Sequence, residues 1–224
     1  MKGRNFRKNK PITRRKGTRL KPKIKIYAFC EGKNTEPEFI NKFSLIHGNG
    51  LVEVKCVGAV GTPVTIVDEC TKEIKNLRRQ QRKSNDPLDK NFQIWAVFDR
   101  DEHPNVSSAI DKASANNIKV AFSNPCFELW PLLHFESQTA NIHRKVLQKH
   151  LETKLDGYDS EVSKSVCPEQ LGKKGCYETA KKRAMSLHTT HTQVGVKLVD
   201  MNPYTNVYEL FDEIIENGKK QKSD

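Results

Sequence analysis

Two aspartates stand two positions apart where an apolar stretch of the sequence ends. The stretch "QIWAVFDRDEHP" (93–104) has the character of a buried strand up to Phe98, and Asp99 and Asp101 follow it. Alternate side chains of a strand point to the same side, so the two carboxylates face one way, with Cα atoms about 6–7 Å apart. A hard cation such as Mg²⁺, which proteins bind through one or two carboxylates, would offset their repulsion. The motif by itself is also compatible with a polar strand exit that caps the next helix.

An acid follows an earlier strand in the same way. The β-rich run "IKIYAF" (24–29) continues into "CEGKNTEPEF", in which Glu31 precedes Gly32. The carboxyl ends of the strands in an open parallel sheet lie at one edge, where ligands bind, so Glu31 is expected to converge with the aspartate pair. Gly32 would let the backbone turn sharply after the strand.

Two further acids follow Glu31 closely, and the pattern separates their roles. Thr35 and Glu38 have the spacing of a capping box, which predicts that Glu38 serves the start of the next helix. Glu36 has no capping role in this pattern. It is therefore a candidate ligand for the metal.

One more carboxylate lies in the apolar segment "SNPCFELWPLLHF" (123–135). Glu128 falls in the first turn of the helix predicted there, and a lone carboxylate is costly in such surroundings unless it is paired. It is either a further ligand of a metal or water, or a carboxylate satisfied by amide groups at the helix N-terminus. Trp130 and His134 are four residues apart and share a helix face, which favours core packing over a catalytic imidazole.

The elements that must position these acids alternate along the chain. Apolar periodicity predicts strands at 24–29, 51–57, 92–98 and 118–123, and helices at 36–46, 64–83, 105–116 and from 126 onward. This order predicts an α/β fold with a parallel sheet covered on both faces. After residue 140 the pattern predicts helices and loops, ending in a helix at 206–216 that Asn206 and Glu209 would open as a capping box. The expected division is a tail (1–23), an α/β core (24–138) and a helical, loop-rich extension (139–224).

The positive charge of the chain is concentrated at its N-terminus. Of the net charge of +12, the first 25 residues supply twelve Lys or Arg and no acid, and the rest holds 27 basic and 27 acidic residues. The basic segment has no apolar period, so we expect a disordered arm that contacts nucleic-acid phosphates, the alternative being a solvated extension. The candidate nucleic-acid-binding residues are Arg14, Arg15, Lys16, Arg19, and, in the loop-rich segment, Lys173 and Lys174, which the pattern does not separate from ordinary surface lysines.

Composition also bounds the cellular location. No apolar run reaches the roughly 18 residues of a membrane span, and no apolar segment of a signal peptide follows the basic N-terminus. The six cysteines form no Cys-x-x-Cys pair, and several lie beside apolar runs, as reduced buried thiols do. These features predict a protein of the reducing cytoplasm with no membrane partner.

Four motifs together resemble one family. "CEGKNTEPEF", "VFDRDEHP", "SNPCFELWPLLHF" and "NPYTNVYEL" are similar in order and spacing to the RloB-like family, a branch of the Toprim superfamily, and the resemblance covers residues 24–214 in outline. It implies a Toprim-like sheet in which Glu31, Asp99 and Asp101 hold Mg²⁺ or Mn²⁺. It also implies a nuclease of anti-phage defence by abortive infection, with tRNA as a candidate substrate and an AAA-type ATPase as a partner. Pro131 departs from the family pattern, which has leucine there, and predicts a kink in the helix.

Three functions are compatible with these residues. The first is a metal-dependent nuclease in which Glu31 is a further ligand or the acid/base. The second is a non-catalytic protein that binds nucleic acid and docks to an ATPase. The third, nucleotidyl transfer as in primases, is disfavoured because the sequence shows no zinc-binding module. The presence of acids at all expected positions favours the nuclease over the non-catalytic partner.

Overall fold

The computed structural model describes residues 21–100, 103–162 and 164–219. Asp101 lies outside these residues, as do the tail residues proposed to contact nucleic acid, which are Arg14, Arg15, Lys16 and Arg19. The following description applies to the described ranges.

The core of the fold is a sheet whose strands follow the order β2-β1-β3-β4-β5. The strands are β1 (Ile24–Cys30), β2 (Val52–Val57), β3 (Phe92–Asp99), β4 (Lys119–Asn124) and β5 (Tyr204–Thr205). The first four are parallel, which confirms the predicted α/β class, and β5 runs antiparallel to β4. The sheet is therefore mixed, because a short segment far along the chain adds an edge strand that the parallel pattern did not predict.

Helices flank the sheet and alternate with its parallel strands. They are α1 (Thr35–His47), α2 (Pro63–Lys83), α3 (Pro87–Lys90), α4 (Val106–Ala115), α5 (Leu129–Phe135), α6 (Arg144–Glu152), α7 (Pro168–Lys174), α8 (Tyr177–Gln193) and α9 (Tyr208–Gly218). The predicted helical character after residue 140 is confirmed by α6 to α9. None of the helices in the described ranges is both long and apolar enough to cross a membrane.

Strand β3 shows why the sheet is buried on both faces. Trp95 and Val97 point into one apolar cluster, which also contains residues of α1, α5 and α9. Ile94, Ala96 and Phe98 point into a second cluster with α2 and α4. A strand covered on both sides has a continuous apolar sequence, and Asp99 is the point at which β3 leaves this environment.

The start of α1 differs from the predicted capping box. The N-cap residue is Asn34 rather than Thr35, and no side chain caps the helix. Glu38 instead lies exposed, 3.9 Å from the ammonium of Lys42, and it accepts a hydrogen bond from the hydroxyl of Ser165. The capping prediction for Glu38 is wrong, because the helix begins one residue earlier than the pattern required.

Pro131 interrupts no hydrogen bond of its helix. Since α5 begins at Leu129, Pro131 lies in the first turn, where a backbone N–H has no helical acceptor to lose. His134 is buried, its Nδ1 lies 3.0 Å from the carbonyl oxygen of Trp130, and burial lowers its pKa to about 4. These contacts give His134 a place in the core of the protein.

The second predicted capping box, at Asn206 and Glu209, is also wrong. The helix α9 has Val207 as its N-cap residue and no side-chain cap. The amide of Asn206 turns to the sheet instead, where its Oδ1 accepts a hydrogen bond from the N–H of Phe122 and its Nδ2 donates to the carbonyl of Val120. Asn206 thus extends the edge pairing of β4 beyond the two residues of β5.

We expect Asn206→Ala to lower the free energy of unfolding by about 1–3 kcal/mol, because it leaves two backbone groups of β4 without their partner. Urea unfolding of both proteins measures this difference. Asn76→Ala on the exposed side of α2 is the control and should cost less than about 0.5 kcal/mol. Equal losses in the two variants would contradict the role assigned to Asn206.

Candidate functional site

Four carboxylates meet where the parallel strands end. Glu31 directly follows β1, and Glu36 lies in the first turn of α1. Asp99 is the last residue of β3, and Glu128 occupies the N-cap position of α5 after β4. We call these residues the acid cluster. They are the predicted site acids other than Asp101.

Neighbouring strands position Glu31 and Asp99. The backbone N–H of Glu31 donates to the carbonyl of Val97 at 3.0 Å, which extends the pairing of β1 with β3. In return, the backbone N–H of Asp99 donates to Glu31 Oε2 at 3.2 Å. The other oxygen, Glu31 Oε1, lies 3.1 Å from His103 Nε2. The Glu31 carboxylate is therefore held between the end of β3 and the histidine that follows it.

The carboxylate of Glu36 lies directly over Gly32. A Cβ atom at position 32 would stand 2.1 Å from Glu36 Oε2, closer than any non-bonded contact allows. Gly32 is not in the left-handed region, so its value here is this close approach and not the sharp turn predicted for it. Glu36 is only 6% exposed, and its pKa is raised by burial and by the charges of Glu128 and Glu31.

Asp99 is buried beside the other acids of the cluster, and these surroundings raise its pKa. It is 8% exposed, and burial raises its pKa well above the ordinary range. The charges of Glu36, Glu128 and Glu31 raise the pKa further. Arg144 of α6 opposes these effects, since its Nη2 lies 3.9 Å from Asp99 Oδ2. Repulsion within the cluster thus exceeds the compensation that this arginine provides.

Glu128 is satisfied by side chains rather than by helix amides. Its Oε1 accepts hydrogen bonds from Gln148 Nε2 at 3.0 Å and from the hydroxyl of Tyr158 at 3.3 Å. The alternative that backbone amides at the helix N-terminus hold this carboxylate is not what the structure shows, because α5 has no side-chain cap. Gln148 and Tyr158 fix the orientation of Glu128 while it faces the other acids.

A metal ion must be judged against this donor set. The cluster offers carboxylate oxygens, which are the ligands preferred by Mg²⁺ and Mn²⁺. Within residues 21–100, 103–162 and 164–219, no three His, Cys, Asp or Glu side chains are grouped so as to hold one ion. Asp101, the other half of the aspartate pair, is not among those residues. The donor chemistry fits a hard divalent cation. The pKa values of Asp99 and Glu36 are raised by burial and by the charges of neighbouring acids, and such a cation would balance these charges.

The two lysines proposed to bind nucleic acid lie apart from the strand ends. Lys173 and Lys174 are exposed in the last turn of α7, and Lys174 forms an ion pair with Asp156. Their exposure leaves them accessible to a phosphate backbone. They do not contribute to the acid cluster.

Several neighbours of the cluster were not predicted as site residues. His103 lies in the stretch 93–104 that contains the aspartate pair, so its position in the sequence could have indicated that it is near the site. Arg144, Gln148 and Tyr158 come from later segments and reach Asp99 and Glu128 only through the fold. No local pattern marks Arg144 or Gln148, because helix α6 shows an ordinary amphipathic sequence.

Comparison with protein families matches residues 26–214 to the family described as RloB-like protein. Neither the comparison with curated proteins nor that with solved structures found a match. The matched segment begins in β1, ends within α9 and contains all four residues of the acid cluster. With most of its length matched, the chain belongs to the RloB-like family.

Proposed function

We propose that the protein is a nuclease that hydrolyses phosphodiester bonds with Mg²⁺ or Mn²⁺ at the acid cluster. The observation that carries this proposal is the burial of Asp99 beside the acids Glu36, Glu128 and Glu31 at the ends of the parallel strands, which raises the pKa of its carboxyl group. Carboxylates buried together are costly unless a cation balances them. Strongly perturbed acids at the carboxyl edge of a parallel sheet are typical of a functional site.

The acids of the proposed site are divided into ligands of the metal and further acids close to it. We assign metal binding to Asp99 and Asp101, with Glu31 as a further ligand or the acid/base and with Glu36 and Glu128 as further acids of the same site. A bound divalent cation supplies Lewis-acid chemistry, in that it lowers the pKa of a coordinated water and stabilises charge on the phosphoryl oxygens. This assignment follows the Toprim pattern of one glutamate and an aspartate pair that the sequence resembles.

Basic side chains beside the acids are suited to the phosphate and the proton. Arg144 lies 3.9 Å from Asp99, and Arg100 follows Asp99 in the chain. Planar guanidinium groups match the geometry of phosphate oxygens. His103, 3.1 Å from Glu31, is suited to take up a proton released during hydrolysis.

We favour RNA as the substrate, with tRNA as the first candidate. We further propose that the protein acts in the cytoplasm, as an effector of abortive infection during anti-phage defence together with an AAA-type ATPase. Membership of the RloB-like family and the implied Toprim chemistry support this setting. Lys173, Lys174 and the basic residues of the N-terminal segment would contribute salt-sensitive, sequence-independent contacts to phosphates.

Glu31→Gln tests the proposal. We expect wild-type protein to cleave labelled RNA in Mn²⁺ or Mg²⁺ but not in EDTA, and Glu31→Gln to lower the rate by about 10²-fold or more, because the variant loses a metal ligand or a proton acceptor. Gel electrophoresis of RNA and duplex DNA measures cleavage, and calorimetry with Mn²⁺ measures metal binding. Glu38→Gln is the matched control, since this exposed glutamate lies on the same helix as Glu36 without facing the cluster, and we expect it to cleave normally.

Three results would contradict the metal-dependent nuclease. Cleavage that persists in EDTA would separate the activity from a metal at the acid cluster. Unchanged Mn²⁺ affinity in both Glu31→Gln and Asp99→Asn would remove the proposed ligands. Nucleic-acid binding without cleavage under all metal conditions would favour the non-catalytic partner of an ATPase instead.

A further inference from the structure

A cavity of about 240 Å³ adjoins the acid cluster. Its wall combines two guanidinium groups, amide side chains and the apolar surfaces of a proline and an isoleucine; the lining residues used below are Arg100, Asn124, Pro125, Ile142, Arg144 and Asn202. Arg144 connects the cavity to the cluster, because the same side chain lies 3.9 Å from Asp99. A ligand in the cavity would therefore lie next to a phosphate bound at the acids.

Asn124 is the unusual member of this wall. It is the last residue of β4, and it is 6% exposed. Within the described part of the chain its side-chain amide makes no hydrogen bond, although buried amides are nearly always paired. The described side-chain polar atom that is fully enclosed without a partner is Trp130 Nε1, so the amide of Asn124 is not sealed inside the protein. Its free donor and acceptor are available to a molecule in the cavity.

A second asparagine, Asn202, joins two segments of the cavity wall by hydrogen bonds. Asn202 Oδ1 accepts a hydrogen bond from the N–H of Ile142 at 3.2 Å, and Asn202 Nδ2 donates to the carbonyl of the same residue at 3.1 Å. These two bonds tie the segment before α6 to the segment before β5. The part of the cavity wall that carries Ile142 is thereby held in place.

The volume of the cavity and the chemistry of its lining residues indicate which kind of ligand it could bind. The volume lies below the roughly 300–1,000 Å³ of sites for drug-sized molecules, which suits one flat ring system. Pro125 and Ile142 provide apolar contact, and an asparagine amide offers the adjacent donor and acceptor that pair with the edge of a base. A base can reach such a cavity only when it is unstacked and unpaired.

We propose that this cavity binds the base of an unpaired nucleotide adjacent to the phosphate at the acid cluster, and that Asn124 determines which base is accepted. The proposal rests on the proposed nuclease function and adds to it the substrate class: single-stranded or looped nucleic acid rather than a continuous duplex. Asn124 acts as a specificity-determining residue and takes no part in the chemical step.

Binding measured without cleavage tests this inference separately from the nuclease. Fluorescently labelled RNA pentamers of adenylate, cytidylate and uridylate, and a blunt RNA duplex, are titrated with wild-type protein in EDTA. We expect the pentamers to differ in affinity by about 10-fold and the duplex to bind more weakly than the best pentamer. Asn124→Leu, which keeps the side-chain size but removes the amide, should weaken the best pentamer by about 10-fold and equalise the three.

Asn124→Asp and Asn76→Leu complete the design. Asn124→Asp keeps the shape while replacing the amide donor, so it should change the order of preference among the pentamers; it also provides the readout if Asn124→Leu does not fold. Asn76 lies exposed on α2, so Asn76→Leu should bind as wild type.

The outcomes separate the two proposals. Equal binding of all three pentamers and the duplex by the wild type overturns the base site, as does a folded Asn124 variant that retains the wild-type preference. Either result leaves metal-dependent cleavage intact as a separate observation. Conversely, a base preference that depends on Asn124 supports the base site even if no metal condition produces cleavage.

Discussion

Asp99→Asn is expected to lower metal-dependent cleavage by about 10²-fold or more while raising the stability of the metal-free protein at neutral pH. The two effects share one cause. Asp99 is buried among Glu36, Glu128 and Glu31, so its charge favours a bound cation and disfavours the folded chain without one. An asparagine keeps the shape of the side chain and removes the charge.

The stability difference should depend on pH in a defined direction. The pKa of Asp99 is raised in the folded protein, so above the ordinary aspartate pKa of about 3.9 the folded state holds more protons than the unfolded state. The free energy of unfolding of the wild type therefore falls as pH rises from about 4 through the raised pKa. The amide that replaces the carboxyl group in Asp99→Asn cannot titrate, so the advantage of the variant should grow over that window and vanish below a pH of about 4.

Thermal unfolding in EDTA from acidic to mildly alkaline pH measures this dependence, and cleavage assays with Mn²⁺ measure the loss of activity. Asp111→Asn is the control, because Asp111 is exposed on α4, and the change should affect neither quantity. A variant that is less stable than the wild type at neutral pH in EDTA would show that repulsion within the acid cluster does not govern Asp99.

Gly32→Ala is expected to reduce cleavage by about 10²-fold although it substitutes no charged residue. The added methyl group would lie 2.1 Å from Glu36 Oε2, so the carboxylate must leave its position beside the other acids. Displacing a single group by about 1 Å is enough to cost this much in a preorganised site. The loss should appear in cleavage and in Mn²⁺ affinity, with the fold preserved.

Gly172→Ala provides the matched control for that substitution. Gly172 lies in α7, where a Cβ atom would meet no atom within 4 Å, so this change should leave cleavage unaltered and stabilise the protein by up to about 1 kcal/mol. Circular dichroism and calorimetry distinguish a displaced carboxylate from a general loss of structure. Normal cleavage by Gly32→Ala would mean that Glu36 has no role in the reaction.

Local sequence patterns were sufficient for most of the parallel sheet. The apolar run of β3 is continuous because both faces of this strand are covered. Helix α2 buries Val67, Cys70 and Ile74, as the apolar periodicity over 64–83 predicts. Acids that directly follow such strands can be assigned to one sheet edge by topology alone. This is why Glu31 and Asp99 could be predicted as neighbours.

Features that depend on distant pairing could not be predicted in this way. The two residues of β5 are too few to show an alternating pattern. They form a strand only because they pair with Ser123 and Asn124 of β4. Asn206 and Glu38 both lie in sequence patterns typical of helix caps. In the structure Asn206 instead forms a hydrogen bond with β4, and the N-cap residue of α1 is Asn34 rather than Thr35. The hydrogen bonds of Glu128 with Gln148 and Tyr158 likewise join residues that are 20 and 30 positions apart.

The pairing of β5 with β4 has a consequence for how the protein is made. Ser123, beside the acid cluster, meets Thr205 across 82 residues, and Arg144, Gln148 and Tyr158 reach the acids from the intervening chain. During translation, the first four strands emerge from the ribosome well before these partners do. The acids therefore gain these partners only late in synthesis, so the site of the proposed nuclease would be incomplete in a nascent chain that is still close to ribosomal RNA and tRNA.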